Sequence, residues 1–188
     1  MEKYILCTNQ RVVRYLTAML IVLLPLGIAA QEVQSSKHSH DTLISAAREI
    51  MDSTRWCALV TLDESGHPQV RTMDPFPPQE DMVVWLGTNS QSRKVKEIRN
   101  DSRVTLYYED SDGAGYVVIK GHAYLVDDNE KKMQYWKEAW NQYYNDQKSN
   151  YILIKVIPDE LEILDYRHGI IGDSLTWVAP TVEFKSDK

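Results

Sequence analysis

The sequence predicts a mainly β chain of the α+β class, an antiparallel barrel with accessory helices. Six or more short apolar runs, rich in β-branched and aromatic residues, are separated by turn signals. One short helical pattern follows the third run and one longer helical pattern comes late in the chain. No internal repeat, low-complexity tract or second-domain break interrupts this order.

Residues 1–30 read as a secretory signal peptide. Lys3, Arg11 and Arg14 form a basic leader, Tyr15 to Ala30 is almost wholly apolar, and Ala29-Ala30 suits cleavage before Gln31. The apolar run of 16 residues is shorter than the ~20 a spanning helix needs. The expectation is therefore an exported, periplasmic protein with no stable membrane span once the signal is removed. The remaining 158 residues suffice for one domain, residues 41–188, preceded by a loose polar linker over 31–40. They carry 18 basic and 26 acidic residues, a net −8, which argues against nucleic acid as a partner. Cys7 leaves with the signal, so Cys57 has no internal disulfide partner and reads as a buried thiol. His38 and His40 lack a supporting ligand cluster, and no metal site is expected.

Asp41 is placed as the cap of a helix to about Ser53, with Leu43, Ile44, Ala47, Ile50 and Met51 on one face. Trp56 to Leu62 is the first strand, Asp63-Glu64-Ser65-Gly66 a hairpin turn, and Gln69 to Met73 the return strand. Arg71 alternates with Val70 and Thr72, so it points away from the Val70 face. Three prolines make Asp74 to Asp81 an irregular loop.

Met82 to Leu86 is the next strand. Ser92 is placed to cap a helix that begins with Arg93, Lys94 and Val95 and buries Val95 and Ile98. Arg93, Lys94 and Lys96 then stand at the positive end of the helix dipole, where acidic residues are preferred. Free backbone N–H groups at a helix start, joined by a guanidinium and an ammonium, suit a phosphate; the alternative is a solvated basic helix end. Val104 to Tyr108 is a strand, Glu109 to Gly115 a plain acidic turn, and Tyr116 to Val126 a long strand with a bulge or close approach at Gly121. His122 reads as a packed or hydrogen-bonded strand histidine. Asp128 caps a helix to about Asn145 with a stripe of Met133, Trp136, Trp140 and Tyr143. Tyr151 to Ile157 and Leu161 to Tyr166 are strands on either side of Pro158. The tail follows, with Trp177 and Phe184 as residues to dock it on the body or on a partner.

Taken in order, A-L-V-T-L-D-E-S-G-H-P-Q-V-R-T-M from Ala58, W-L-G-T-N-S-Q-S-R-K-V-K-E-I-R-N-D-S-R-V-T-L from Trp85 and Y-V-V-I-K-G-H-A-Y-L-V-D-D from Tyr116 carry a resemblance. With the helix and strands that follow, the chain resembles the pyridoxamine 5′-phosphate oxidase-like flavoproteins, the FMN-binding split β-barrels, of the general-stress-protein type. The resemblance covers roughly residues 41–164, and the T-x-x-x-S-R-K spacing is its most specific part. It implies an antiparallel, Greek-key-like split barrel and FMN as cofactor. Arg93, Lys94 and Arg71 would hold the FMN phosphate, with Thr88 and Ser92 as hydroxyl donors. Backbone groups of Thr72 and Met73 would meet the isoalloxazine edge, and Tyr116 would contact the flavin from across a homodimer. The implied activity is that of an oxidoreductase on a small-molecule substrate.

The chain also departs from the family pattern. Met73 is followed by Asp74-Pro75-Phe76-Pro77 rather than a basic residue, and the tail reads T-W-V-A-P-T-V-E-F-K without an Arg/His pair. Vitamin B6 oxidase activity is therefore not expected. No side chain reads as an acid, base or nucleophile; His168 and Trp177 read as surface and packing residues rather than pocket liners. Two rival readings stand. One is a non-catalytic flavin or haem carrier with His122 or His168 as axial ligand; the other is a structural barrel whose phosphate site is empty or holds another anion.

Overall fold

Residues 38–144 and 149–185 are described by the computed structural model. The expected signal peptide and nearly all of the expected linker lie outside the described residues. Ser39, not Asp41, opens the first helix, α1 (His40–Ser53), where its hydroxyl accepts from Thr42 N–H at 3.2 Å. Asp41 stands within the first turn, where its charge suits the dipole. Leu43, Ala46, Ala47, Ile50 and Met51 form the buried face of α1.

The strands that follow are β1 (Cys57–Leu62), β2 (Pro68–Met73), β3 (Val84–Asn89), β4 (Arg103–Glu109), β5 (Gly115–Val126), β6 (Tyr151–Asp165) and β7 (Thr181–Glu183). All pair antiparallel in the order β2-β1-β4-β5-β6-β3, with β7 on β6. Alternation of buried and half-exposed residues along β1, β4 and β5 turns one sheet face inward onto the core. Leu59, Leu106, Val117, Ile119, Ile154, Leu161 and Ile163 are the centre of that core, and α1 covers it. The β1–β2 hairpin has the expected turn: Asp63 Oδ1 accepts from Ser65 and His67 N–H, and Gly66 sits at φ +82°.

The sheet does not close by a ladder. Its two edge strands, β2 and β3, approach through one bridge, Pro75 with Leu86, beside a Phe76 N–H bond to the Trp85 carbonyl at 2.9 Å. Continuing that antiparallel register sets Met73 opposite Thr88, where the seam is open. The result, among the described residues, is a mainly β, α+β antiparallel sheet with three α-helices, split along one line. The second helix, α2 (Arg93–Asn100), follows β3 and lies beside this opening.

Two sequence expectations change. Tyr151–Asp165 form a single long strand rather than two. Gly121 makes this possible: a Cβ there would lie 2.1 Å from the Ile157 carbonyl oxygen, so only glycine lets the backbones approach. The register slips between Lys120, which pairs with Glu160, and Gly121, which pairs with Pro158, so Asp159 is left as the bulged residue and the strand runs on past the proline. The late helix also breaks. Only α3 (Asn129–Gln134), capped by Asp128 as expected, is α-helical, and a 3₁₀ turn (Glu138–Gln142) follows. Tertiary packing overrides the helical period here. The Tyr151 hydroxyl takes the Tyr135 carbonyl at 2.5 Å, and Lys137 reaches away to Asp74 and the Pro75 carbonyl. Of the expected stripe, Trp136 and Trp140 pack with Tyr144 and Tyr151, whereas Met133 and Tyr143 are exposed.

In the tail, Val182 and Phe184 pack on the core and Trp177 does not: it is 82% exposed at φ +63°. Among the described residues no helix is long and apolar enough to cross a membrane.

Candidate functional site

Beside the open seam, the start of α2 faces β2. Asn89 turns the chain out of β3, accepting from Gln91 N–H with its side chain, and Ser92 occupies the N-cap position of α2 with extended backbone angles. Ser92 does not cap with its hydroxyl, contrary to expectation. Its Oγ lies 3.3 Å from Thr88 Oγ1 instead. Val95 N–H donates to the Ser92 carbonyl at 3.0 Å, no side chain caps the Arg93 and Lys94 N–H groups, and the hydroxyl remains beside the cations.

Three cations converge there. Lys94 Nζ donates to Thr88 Oγ1 at 3.1 Å. Arg71, directed inward from β2 as its alternation requires, donates to Thr61 Oγ1 at 2.5 Å and to Glu97 Oε2 at 2.7 Å. Arg93 Nε approaches the other oxygen, Glu97 Oε1, at 3.0 Å, one helical turn along α2. That contact is an ion pair without an aligned hydrogen bond, so Oε1 stays buried with an unused lone pair. Thr61 also donates to Glu97 Oε2 at 2.5 Å. Burial holds the half-buried Lys94 ammonium below its ordinary pKa, and the Arg71 charge pushes it the same way.

The fold thus brings together five of the eight residues read from the sequence: Arg71, Thr88, Ser92, Arg93 and Lys94. Thr72 and Met73 follow Arg71 on β2; the Thr72 side chain faces out of the barrel and Met73 faces in. Tyr116 stands apart on β5, three strands away from β2 on the outward face, and its hydroxyl donates to Glu162 at 2.9 Å. Within one chain it does not reach the cation cluster.

Sequence reasoning missed Glu97. It is 4% exposed and joins Arg71 of β2 to Arg93 of α2. The Arg93–Glu97 spacing of four was the available signal, but it is also the signature of an ordinary surface helix pair.

Elsewhere, Cys57 is a buried free thiol, pushed up to about 12 chiefly by burial. Asp74, the departure from the family pattern, is tied to Lys137 at 2.6 Å and to the Trp140 indole N–H at 3.2 Å. Both candidate histidines are engaged. His122 Nδ1 is 2.9 Å from Ser102 Oγ and its Nε2 3.3 Å from Asp159. His168 Nδ1 lies 2.6 Å from Asp165 and its Nε2 3.6 Å from Glu49.

Comparison with known proteins agrees with this architecture. The general stress protein 26 of Bacillus anthracis superposes with a TM-score of 0.61 at 22% identity, over 74% of this chain and 97% of that one. A Clostridium acetobutylicum protein related to general stress protein 26 gives 0.62 at 18% identity, over 80% and 98%. A heme binding protein from Mycobacterium smegmatis shares the fold more distantly, with a TM-score of 0.50 at 18% identity, over 63% and 52%. No curated protein matches the sequence. The family model described as Pyridoxamine 5'-phosphate oxidase like matches residues 43–185. On that match, which takes in every strand and the cation cluster, the chain belongs to the pyridoxamine 5'-phosphate oxidase-like family.

Proposed function

We propose that this protein is an exported, homodimeric FMN-binding flavoprotein that acts as an oxidoreductase on a small substrate. One observation carries the reading: Arg71 and Arg93 share the single Glu97 carboxylate beside Lys94, whose ammonium is held below its ordinary pKa first by burial and then by the Arg71 charge. Like charges held together at a cost are relieved by an anion, and a dianionic phosphate is the anion a helix start accommodates best. The Ser92 and Thr88 hydroxyls, in contact with each other and with Lys94, suit the same group.

In this reading Arg71, Arg93, Lys94, Thr88 and Ser92 hold the phosphate. Thr72 and Met73 backbone groups border the ring system, and Tyr116 comes from the partner subunit. FMN supplies the electron transfer when bound, and the chain's residues position it and limit water access. The acidic Asp74, already engaged with Lys137, stands where a substrate phosphate would need a cation, which speaks against vitamin B6 oxidase activity. The signal-like residues 1–30 support export to the periplasm.

A haem carrier is the second reading, favoured by the fold shared with the heme binding protein. Against it, the ring nitrogens of His122 and His168 already face Ser102, Asp159, Asp165 and Glu49. The absorption spectrum of the purified protein separates the two. A flavin spectrum is expected, lost in the Arg93→Ala/Lys94→Ala double variant. A Soret band would favour haem, and a colourless protein that rejects added FMN would overturn both.

A further inference from the structure

Resting on the flavin reading, a role can be assigned to Glu97, which that reading leaves unused. We infer that Glu97 is the internal counter-ion of the phosphate site. It holds Arg71 and Arg93 in place and sets the site's charge to match a dianionic phosphomonoester rather than a more highly charged diphosphate.

The geometry gives Glu97 two tasks. It is nearly fully buried, and each carboxylate oxygen meets a different element: Oε2 takes Arg71 of β2 and Thr61 of β1, and Oε1 faces Arg93. A guanidinium anchored at one edge keeps its remaining N–H donors aimed in a fixed direction. The carboxylate therefore positions both arginines before any ligand arrives, across a seam that the backbone leaves open.

The second task is electrostatic. Three cations against one carboxylate leave two net positive charges among Arg71, Arg93, Lys94 and Glu97. Lys96, two positions after Lys94 on α2, is already paired with Glu64 at 2.6 Å and leaves the balance unchanged. Two positive charges match a terminal phosphate monoester, which is a dianion above neutral pH. The unaligned, buried Oε1 adds selectivity: an extra phosphate oxygen near it meets a negative lone pair rather than a donor.

The test is isothermal titration of the full protein with inorganic phosphate and with pyrophosphate, at pH 8 and low salt. The ratio of the two affinities is the readout. Glu97→Gln raises the site's charge by one, and the preference for pyrophosphate over phosphate should rise about tenfold. Glu97→Asp keeps the charge and should keep the wild-type ratio. The double variant Arg93→Gln/Glu97→Gln restores two charges and should return the ratio to that of the wild type. If Glu97→Gln weakens both anions equally, Glu97 is only a structural brace and the inference fails while the flavin reading stands. If Glu97→Gln does not fold, the single variant Arg93→Gln, at an exposed side chain, carries the test. Its ratio should shift about tenfold toward phosphate, and an unchanged ratio overturns the inference. A wild-type chain that binds neither phosphate nor FMN overturns both proposals together.

Discussion

Lys94 is the side chain most exposed to experiment, because its ammonium has one hydroxyl partner, Thr88, and a guanidinium for a neighbour. Lys94→Ala should weaken FMN binding by about 1.5–3 kcal/mol, the worth of a hydrogen bond to a charged group. Riboflavin, which lacks the phosphate, should bind both forms alike, and flavin fluorescence quenching measures the difference. Cys57 offers a second check. With its thiol raised to about 12 by burial, it stays protonated at pH 8, so Ellman's reagent should label it only after denaturant is added. The cations were legible in the sequence because a basic first helical turn defies the dipole rule. Glu97 was not, since nothing local distinguishes a buried glutamate from a solvated one; its partners, Thr61 of β1 and Arg71 of β2, come from strands distant in sequence.

Gly87 and Gly121 show how single elements depend on close approach. A Cβ at Gly87 would lie 2.6 Å from the Trp140 ring and 2.7 Å from Tyr151, and one at Gly121 would meet backbone at 2.1 Å. Gly121→Ala should cost at least about 2 kcal/mol in urea denaturation, because backbone cannot move aside as a side chain can. The Asp165–His168 turn after β6 gives a pH signature. Asp165 raises the His168 pKa, so the contribution of this pair is fully present below the unfolded histidine value and is lost as pH rises through the folded one. The melting temperature of the wild type should therefore fall relative to His168→Gln as pH rises through neutrality. Short strands and the hairpin turn were readable from alternation and glycine. The long β6 and the broken late helix were not, since Pro158 and the aromatic period pointed elsewhere until Gly121 and the Tyr151 hydroxyl supplied the compensating contacts.

On the scale of the whole molecule, the outward face of the sheet bears on subunit pairing. Ala58, Val60, Val70, Tyr107 and Val118 form a mostly apolar surface across β2, β1, β4 and β5, with Val70 63% exposed and Tyr107 37% exposed. A homodimer formed through this face would bury it and bring Tyr116 toward a partner's flavin. Light scattering should then give twice the chain mass, and Val118→Lys should yield monomers that have also lost flavin. The fold class was legible because strand count and order survive local errors. The packing of a second copy was readable only as a family expectation, since a sequence does not show which sheet face remains uncovered.

The unzipped line between β2 and β3 has one more consequence. Its two lips carry different halves of the proposed anion clasp, Arg71 on one side and Thr88 with Lys94 on the other. A bound phosphate would therefore act as a rivet, joining edges that the backbone ties at a single bridge. Hydrogen exchange at the amides of both lips should slow together when FMN is added. In a cofactor-poor compartment, the protein's lifetime would then follow its supply of flavin.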